Sequence, residues 1–181
     1  MFKDPLSSQS IIRQLGLTRH PEGGYFRETY RCKEWLAPHG LPQRYQGKRS
    51  VSTAIYYLLQ SGDFSALHRI QSDELWYFHA GVPLEIVTLS KAGVFSKVKL
   101  GLDLKKGQQP QVSIPRGVWF GAAVRGTDKG AYTLTSCSVA PGFDFADFEM
   151  ARQSELIKKF PRQRRMILKW TRAALKAKVK S

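Results

Sequence analysis

A chain of 181 residues is long enough to bury a real core in one domain. Its 42% hydrophobic content, with ten Phe, seven Tyr and four Trp, excludes a disordered polymer. The formal net charge of +15 is concentrated at one end: from Ala151 to Ser181, eleven Lys/Arg face the single Glu155, so this tail carries +10. No stretch approaches the roughly 20 apolar residues of a membrane span. The opening MFKDPLSSQS has no apolar run and does not read as a signal peptide. Cys32 and Cys137 have no metal-type spacing and read as free thiols. The expectation is a soluble cytoplasmic protein with no membrane partner.

In chain order, Ser7 to Leu15 predicts a short helix, with Ile11, Ile12 and Leu15 on one face and Gly16 as its stop. RHPEGGYFRETY predicts a Pro/Gly turn followed by a strand, and Arg31 to Lys48 a polar loop. The chain then turns strand-like: SVSTAIYYLL, FSALHRI, ELWYFHA, PLEIVTL, VFSKVKL, QVSIP, VWFGAAV and AYTLTSCSVA, each bounded by turn residues. Many short strands at close spacing mean a sandwich or small barrel. Residues 1–160 read as one β domain with its N-terminal helix, and 161–181 as a basic C-terminal helix and tail. That helix is expected to start at Pro161 and to place Ile167, Trp170, Ala174 and Leu175 on one stripe. The bases could meet nucleic acid, but with no accompanying motif a terminal helix docked by its apolar stripe is the favoured reading.

Strand parity sorts the candidate site residues. Glu74, Trp76 and Phe78 share one face and Leu75, Tyr77 and His79 the other; His68 and Ile70 share a face opposite Arg69. An inward His68 would then meet Glu74 across the QSD turn, walled by Trp76 and Phe78, while His79 points away. Trp119 and Phe120 fall on opposite faces. Tyr25 and Arg27 share a face of the strand after HPEGG, and Arg27 suits either an anionic group or a surface salt bridge. HPEGG itself reads as a ligand-closing turn or a plain tight one. Phe143 and Phe145 read as core, with Asp144 on the rim or as a third polar group of the pocket.

The stretch GDFSALHRIQSDELWYFHAG resembles the first motif of the cupin superfamily, G-x5-H-x-H-x3,4-E-x6-G. It matches at Gly62, His68, Glu74 and Gly81 and departs at Ile70, where a second histidine would stand. The second motif, P-x-G-x2-H, matches at Pro115 and Gly117 and departs at Phe120. More narrowly, HPEGGYFRETY, STAIYYLL, LHRIQSDELWYFHAG, SIPRGVWFGA and SVAPGFDFADFE follow the order of one cupin family of unknown function, over roughly residues 10 to 165. The resemblance implies a mainly β fold, the double-stranded β-helix or jelly roll, with a short helix at each end, an internal pocket and assembly as a homodimer. It also implies kinship with the jelly rolls of sugar-nucleotide epimerases.

Cupin metal centres typically use three histidines and one carboxylate. Only His68 and Glu74 remain here, so no metal and no cofactor are expected. His68 and Glu74 read instead as a metal-free catalytic acid/base pair in a ligand pocket, and the resemblance to sugar epimerases allows a metal-independent isomerase or epimerase with a tyrosine acid to be drawn from Tyr25, Tyr56, Tyr57 or Tyr132. The ligand would be small and polar, sugar- or nucleotide-like, held by Tyr25, Arg27, Tyr56, Trp76, Phe78, Phe120 and Asp144. The alternatives are binding without turnover and nucleic-acid association through the tail.

Overall fold

A computed structural model describes residues 6–125 and 128–172. In chain order these form α1 (Ser8–Leu15), β1 (Thr18–Arg19), β2 (Tyr25–Arg31), β3 (Trp35–Leu36), β4 (Arg49–Ser50), β5 (Thr53–Gln60), β6 (Phe64–Arg69) and β7 (Asp73–Gly81). There follow β8 (Leu84–Leu89), β9 (Phe95–Leu100), β10 (Gln108–Gln109), β11 (Gln111–Ile114), β12 (Trp119–Val124), β13 (Tyr132–Ala140), β14 (Glu149–Met150), α2 (Gln153–Lys159) and α3 (Arg164–Trp170).

Two six-stranded sheets carry the fold, in the orders β1-β2-β5-β13-β7-β11 and β10-β9-β8-β12-β6-β14. Neighbours in sequence often sit in different sheets: β5 and β7 share the first while β6 lies in the second. This is the jelly-roll arrangement, and it closes the two inner faces on one core. Tyr57, Leu59, Trp76, Ile86, Phe120 and Cys137 meet there with almost no exposure. The alternation of β-strand side chains puts their sequence neighbours outside.

The outer faces are covered unequally. Ser7 caps α1 by accepting from the Ser10 amide, and Gly16 ends it in the left-handed conformation. Ile11 of this helix and Leu17 pack over Leu58, beside Tyr25, Tyr56, Tyr132 and Leu134, on the first sheet's outer face. The second sheet's outer face takes α2 and α3 through Leu156, Ile167 and Trp170, which bury Leu67, Val87, Leu89 and Trp119.

The C-terminal segment differs from the sequence expectation in one respect. Pro161 does not open a single helix. It opens a short 3-10 turn (Pro161–Gln163) between α2 and α3, because proline has no N–H to continue the helix before it. Ile167 and Trp170 are buried as the docked-helix reading requires, while Ala174 and Leu175 lie outside the described residues. The polar loop from Arg31 to Lys48 contains two additions: β3 pairs with β4 as a small separate ladder, and Pro38–Gly40 forms a 3-10 turn. No helix among the described residues is long and apolar enough to cross a membrane.

Candidate functional site

One end of the barrel is not filled by side chains. A cavity of about 330 Å³ opens there, within the range of small-molecule sites. Its floor and walls come from β5 (Tyr57), β6 (His68), β7 (Glu74 and Trp76), β13 (Cys137) and the turn before β2 (His20 and Glu22). Exposed lining residues, Glu28, Arg31, Trp35, Asp144 and Phe145, form the mouth.

The HPEGG turn is the element that sequence reading left undecided. Its two glycines let it lie flat against the barrel. Gly24 has φ +68°, and a Cβ there would stand 2.7 Å from the Leu58 carbonyl oxygen; a Cβ on Gly23 would collide with the Phe64 carbonyl. The Ala66 amide donates to the Glu22 carbonyl at 2.8 Å, and the Tyr57 hydroxyl donates to the Gly23 carbonyl at 2.8 Å. Stitched to β6 in this way, the turn aims the Glu22 side chain inward.

Glu22 is the centre of a buried polar cluster. Its Oε2 lies 3.0 Å from His68 Nε2 and 3.4 Å from His20 Nδ1, and its Oε1 accepts from Ser65 Oγ at 2.9 Å. Burial alone would raise this carboxyl, but the opposing charge of His68 and the His20 and Ser65 contacts outweigh it and hold the group at about 2. His68 is fixed at both ends of its ring, because Nδ1 stands 2.8 Å from the Ala66 carbonyl oxygen, which can only accept. Both nitrogens face acceptors, so the ring is fully satisfied when it carries both protons. Burial pushes the imidazolium pKa down against the pull of Glu22. The couple therefore holds a proton that desolvation loosens.

Glu74 lies in the same cavity but is not the partner of His68. Among the described residues no cation is paired with it. Burial, and then the charge of Glu22, push it up to about 8, with Cys137 and Trp76 opposing, so it is neutral at pH 7. Phe120, in the position of a cupin histidine, is 1% exposed and packs its ring 4.0 Å from that of His68. It fixes the imidazole from behind and does not line the cavity.

The remaining expected ligand contacts divide by strand parity. Trp76 and Asp144 line the cavity. Tyr25, Arg27 and Tyr56 do not, because they fall on the outer face of the first sheet. Tyr25 and Tyr56 pack by α1, and Arg27 is exposed opposite Tyr56 in the β2–β5 ladder. Phe78 faces inward yet packs into the core beyond Trp76, off the cavity walls. Of the four tyrosines, Tyr57 is the one at the cavity. Burial and Glu22 raise its pKa well above the usual value, and its hydrogen is committed to Gly23, so it holds the turn in place. Phe143 and Phe145, expected in the core, form the cavity's outer wall with Phe148, and Phe145 stacks at 6.2 Å on His20. Asp147 pins this wall through a buried two-point pair with Arg49, both contacts 2.7 Å long. His79 is exposed, as its parity required.

A family model described as Cupin superfamily (DUF985) matches residues 9–151. The chain belongs to this cupin family. Protein SO0799 from Shewanella oneidensis, a solved structure, is 36% identical, with TM-score 0.83 over 93% of this chain and 99% of that one. A hypothetical protein from Leishmania major is 33% identical, with TM-score 0.82 over 92% and 99%. The uncharacterized protein YML079W of Saccharomyces cerevisiae is 29% identical over 167 residues, 87% of this chain and 82% of that one. A Bacillus subtilis oxalate decarboxylase variant shares the fold alone, at 14% identity and TM-score 0.50 over 84% of this chain and 36% of that one.

The donor set of this cupin does not suit a metal ion. Ile70 and Phe120, both buried, stand where two imidazoles would be. Both nitrogens of His68 are engaged by Glu22 and Ala66. Among the described residues no three His, Cys, Asp or Glu side chains are grouped as ligands. What sequence reading missed in this cupin is Glu22, together with His20. The available signal was a carboxylate placed between Pro21 and the two glycines of a turn too short to need one.

Proposed function

We propose that this cupin binds a small polar, sugar- or nucleotide-like ligand and transfers protons on it as a metal-independent isomerase or epimerase does. Glu22, backed by His68, is the proton acceptor and Glu74 the donor. One observation carries this reading: two buried carboxyls share a cavity with opposite protonation, Glu22 at about 2 and Glu74 at about 8. Environments that separate the pKa values of neighbouring acids are how one pocket supplies an acid and a base at one pH. Glu22 keeps lone pairs beyond those used by Ser65 and His68. The Phe26, Trp76 and Phe148 walls suit the faces of a sugar ring. His68 acts through Glu22 as a positioning residue, since neither of its nitrogens is free.

Binding without turnover is the second reading, and the capping of both His68 nitrogens favours it. Incubating candidate sugars and hydroxy-carbonyl compounds in D2O, and following deuterium entry at carbon by NMR, separates the two. The first reading expects exchange with the wild type and none with Glu22→Gln or Glu74→Gln. Binding with no exchange selects the second. The homodimer implied by resemblance belongs to this proposal as well, and light scattering on the full chain tests it.

A further inference from the structure

Among the described residues, Trp76 Nε1 is the buried side-chain polar atom that makes no hydrogen bond of normal length, and the group it approaches is the Glu74 carboxyl. The indole is 1% exposed and lines the cavity. An indole N–H can only donate, and a buried donor left unpaired is unfavourable unless something else satisfies it. Glu74 stands two positions earlier on the same inward face of β7 and lines the same cavity. Kept neutral by burial, its carboxyl offers an O–H as a second donor.

The surroundings of these two groups decide what they would hold. In the sheet, Glu74 is flanked by Ile114 and Val139, and Trp76 by Val112 and Cys137. These neighbours are apolar apart from one thiol. A ligand hydroxyl placed here would have the Glu74 carboxyl as the acceptor for its own hydrogen, whereas a carbonyl oxygen accepts from both donors. An ionised carboxylate would bring a second negative charge near Glu22, while Arg31 at the cavity mouth is already paired with Glu28. A carbonyl oxygen has two lone pairs, no hydrogen and no charge.

We propose that Trp76 Nε1–H and the Glu74 carboxyl together hold one carbonyl oxygen, so that the substrate class is small carbonyl compounds. This rests on the proton-transfer reading above and names its substrate. In the reaction, the C–H bond beside the carbonyl breaks and its proton passes to the Glu22–His68 couple. The C–H electron pair forms the C=C bond, and the carbonyl π pair moves onto oxygen. The two donors stabilise the charge that develops there. Return of the proton to the opposite face of the same carbon completes an epimerisation, with no oxidant or reductant consumed.

The test uses the full chain and two probes of matched shape, acetophenone and ethylbenzene, which differ in the carbonyl oxygen. The expected result has three parts. Acetophenone shifts the Trp76 indole N–H resonance downfield and its own carbonyl stretch to lower frequency. Ethylbenzene binds without either change. Trp76→Phe weakens acetophenone about tenfold, the effect of one hydrogen bond, and leaves ethylbenzene unaffected. The indole and carbonyl signals are read on the wild type, so they stand even if the variant fails to fold. Acetophenone that binds with the indole resonance and carbonyl stretch unmoved overturns the oxygen site and leaves the pocket reading intact. Failure of both probes to bind, with deuterium exchange still seen only into compounds that carry no carbonyl, overturns the carbonyl assignment. Failure of both with no exchange into any compound removes the pocket reading too.

Discussion

His68 Nε2 and Glu22 Oε2 lie 3.0 Å apart in the barrel wall, one carried by β6 and the other by a turn that precedes the first long strand. The cupin hairpin motif thus supplies one half of a buried pair, and a segment outside the motif supplies the other.

Breaking this pair from one side should be costly. His68→Leu leaves the buried Glu22 carboxylate without the ring nitrogen that faces it and should lower unfolding free energy by about 3–5 kcal/mol, the usual result of orphaning a buried charge. Replacing both, as His68→Leu with Glu22→Leu, should recover much of that loss, because no charge then stays buried. Urea denaturation of the two variants checks this; a single-variant loss within a few tenths of a kcal/mol would contradict the ion pair.

Stability should depend on pH through Glu74 in a direction opposite to most carboxylates. Its pKa rises from 4.5 to about 8 on folding, so the native state holds the proton more tightly than the unfolded chain. The contribution is fully present below about 4.5 and is lost as pH rises toward 8. Glu22, lowered to about 2, behaves the other way, and its contribution is lost as pH falls below 4.5. Glu74→Gln should therefore gain stability relative to the wild type as pH rises from 5 to 8. The difference between the two melting curves isolates Glu74, because Glu22 and His68 titrate in both. A flat difference would refute the neutral carboxyl.

The turn should tolerate no side chain at Gly24. Gly24→Ala combines a left-handed backbone with a Cβ 2.7 Å from the Leu58 oxygen, and should cost more than about 1 kcal/mol. Gly40→Ala, where φ is not positive and nothing lies within 4 Å, serves as the control and should be near neutral. Thermal melts of both decide the matter.

The aromatic wall should depend on Arg49. Arg49→Met leaves Asp147 buried and unpaired, and should destabilise by about 3–5 kcal/mol. Amide hydrogen exchange should rise first across residues 143–148, the segment this pair holds. Uniform acceleration across the barrel instead would show that the pair supports the whole fold.

Removing the basic C-terminal segment after Phe160 is not a neutral way to ask what its charge does. It takes away Ile167 and Trp170 and uncovers Leu67, Val87, Leu89 and Trp119. Such a truncation should lower the melting temperature, whereas Arg164→Glu with Arg165→Glu, at exposed positions, should not. Any nucleic-acid affinity is then tested cleanly by the charge reversal in a filter-binding assay.

The β strands, their order along the chain and the inward parity of Glu74, Trp76 and His68 were legible because alternation is a local property of strand geometry. Parity also put Trp119 and Phe120 on opposite faces without saying which faced inward; Trp119 went to the helices and Phe120 to the core, off the cavity wall. Parity could not say which half of the barrel is hollow. Phe78 obeys the inward rule yet packs solid core, and Tyr56 fell outside because its neighbour Tyr57 fell inside.

The sequence by itself determined the class of fold, the loss of two metal-ligand positions at Ile70 and Phe120, and the presence of an inward histidine and glutamate. The first two follow from the resemblance to the cupin motifs, and the third from strand alternation. Only the tertiary structure decided that His68 pairs with Glu22, that Glu74 stands apart and neutral, and that Trp76 carries an unpaired N–H. Pairing and desolvation depend on which distant segments share a wall, and strand periodicity carries no record of that distance.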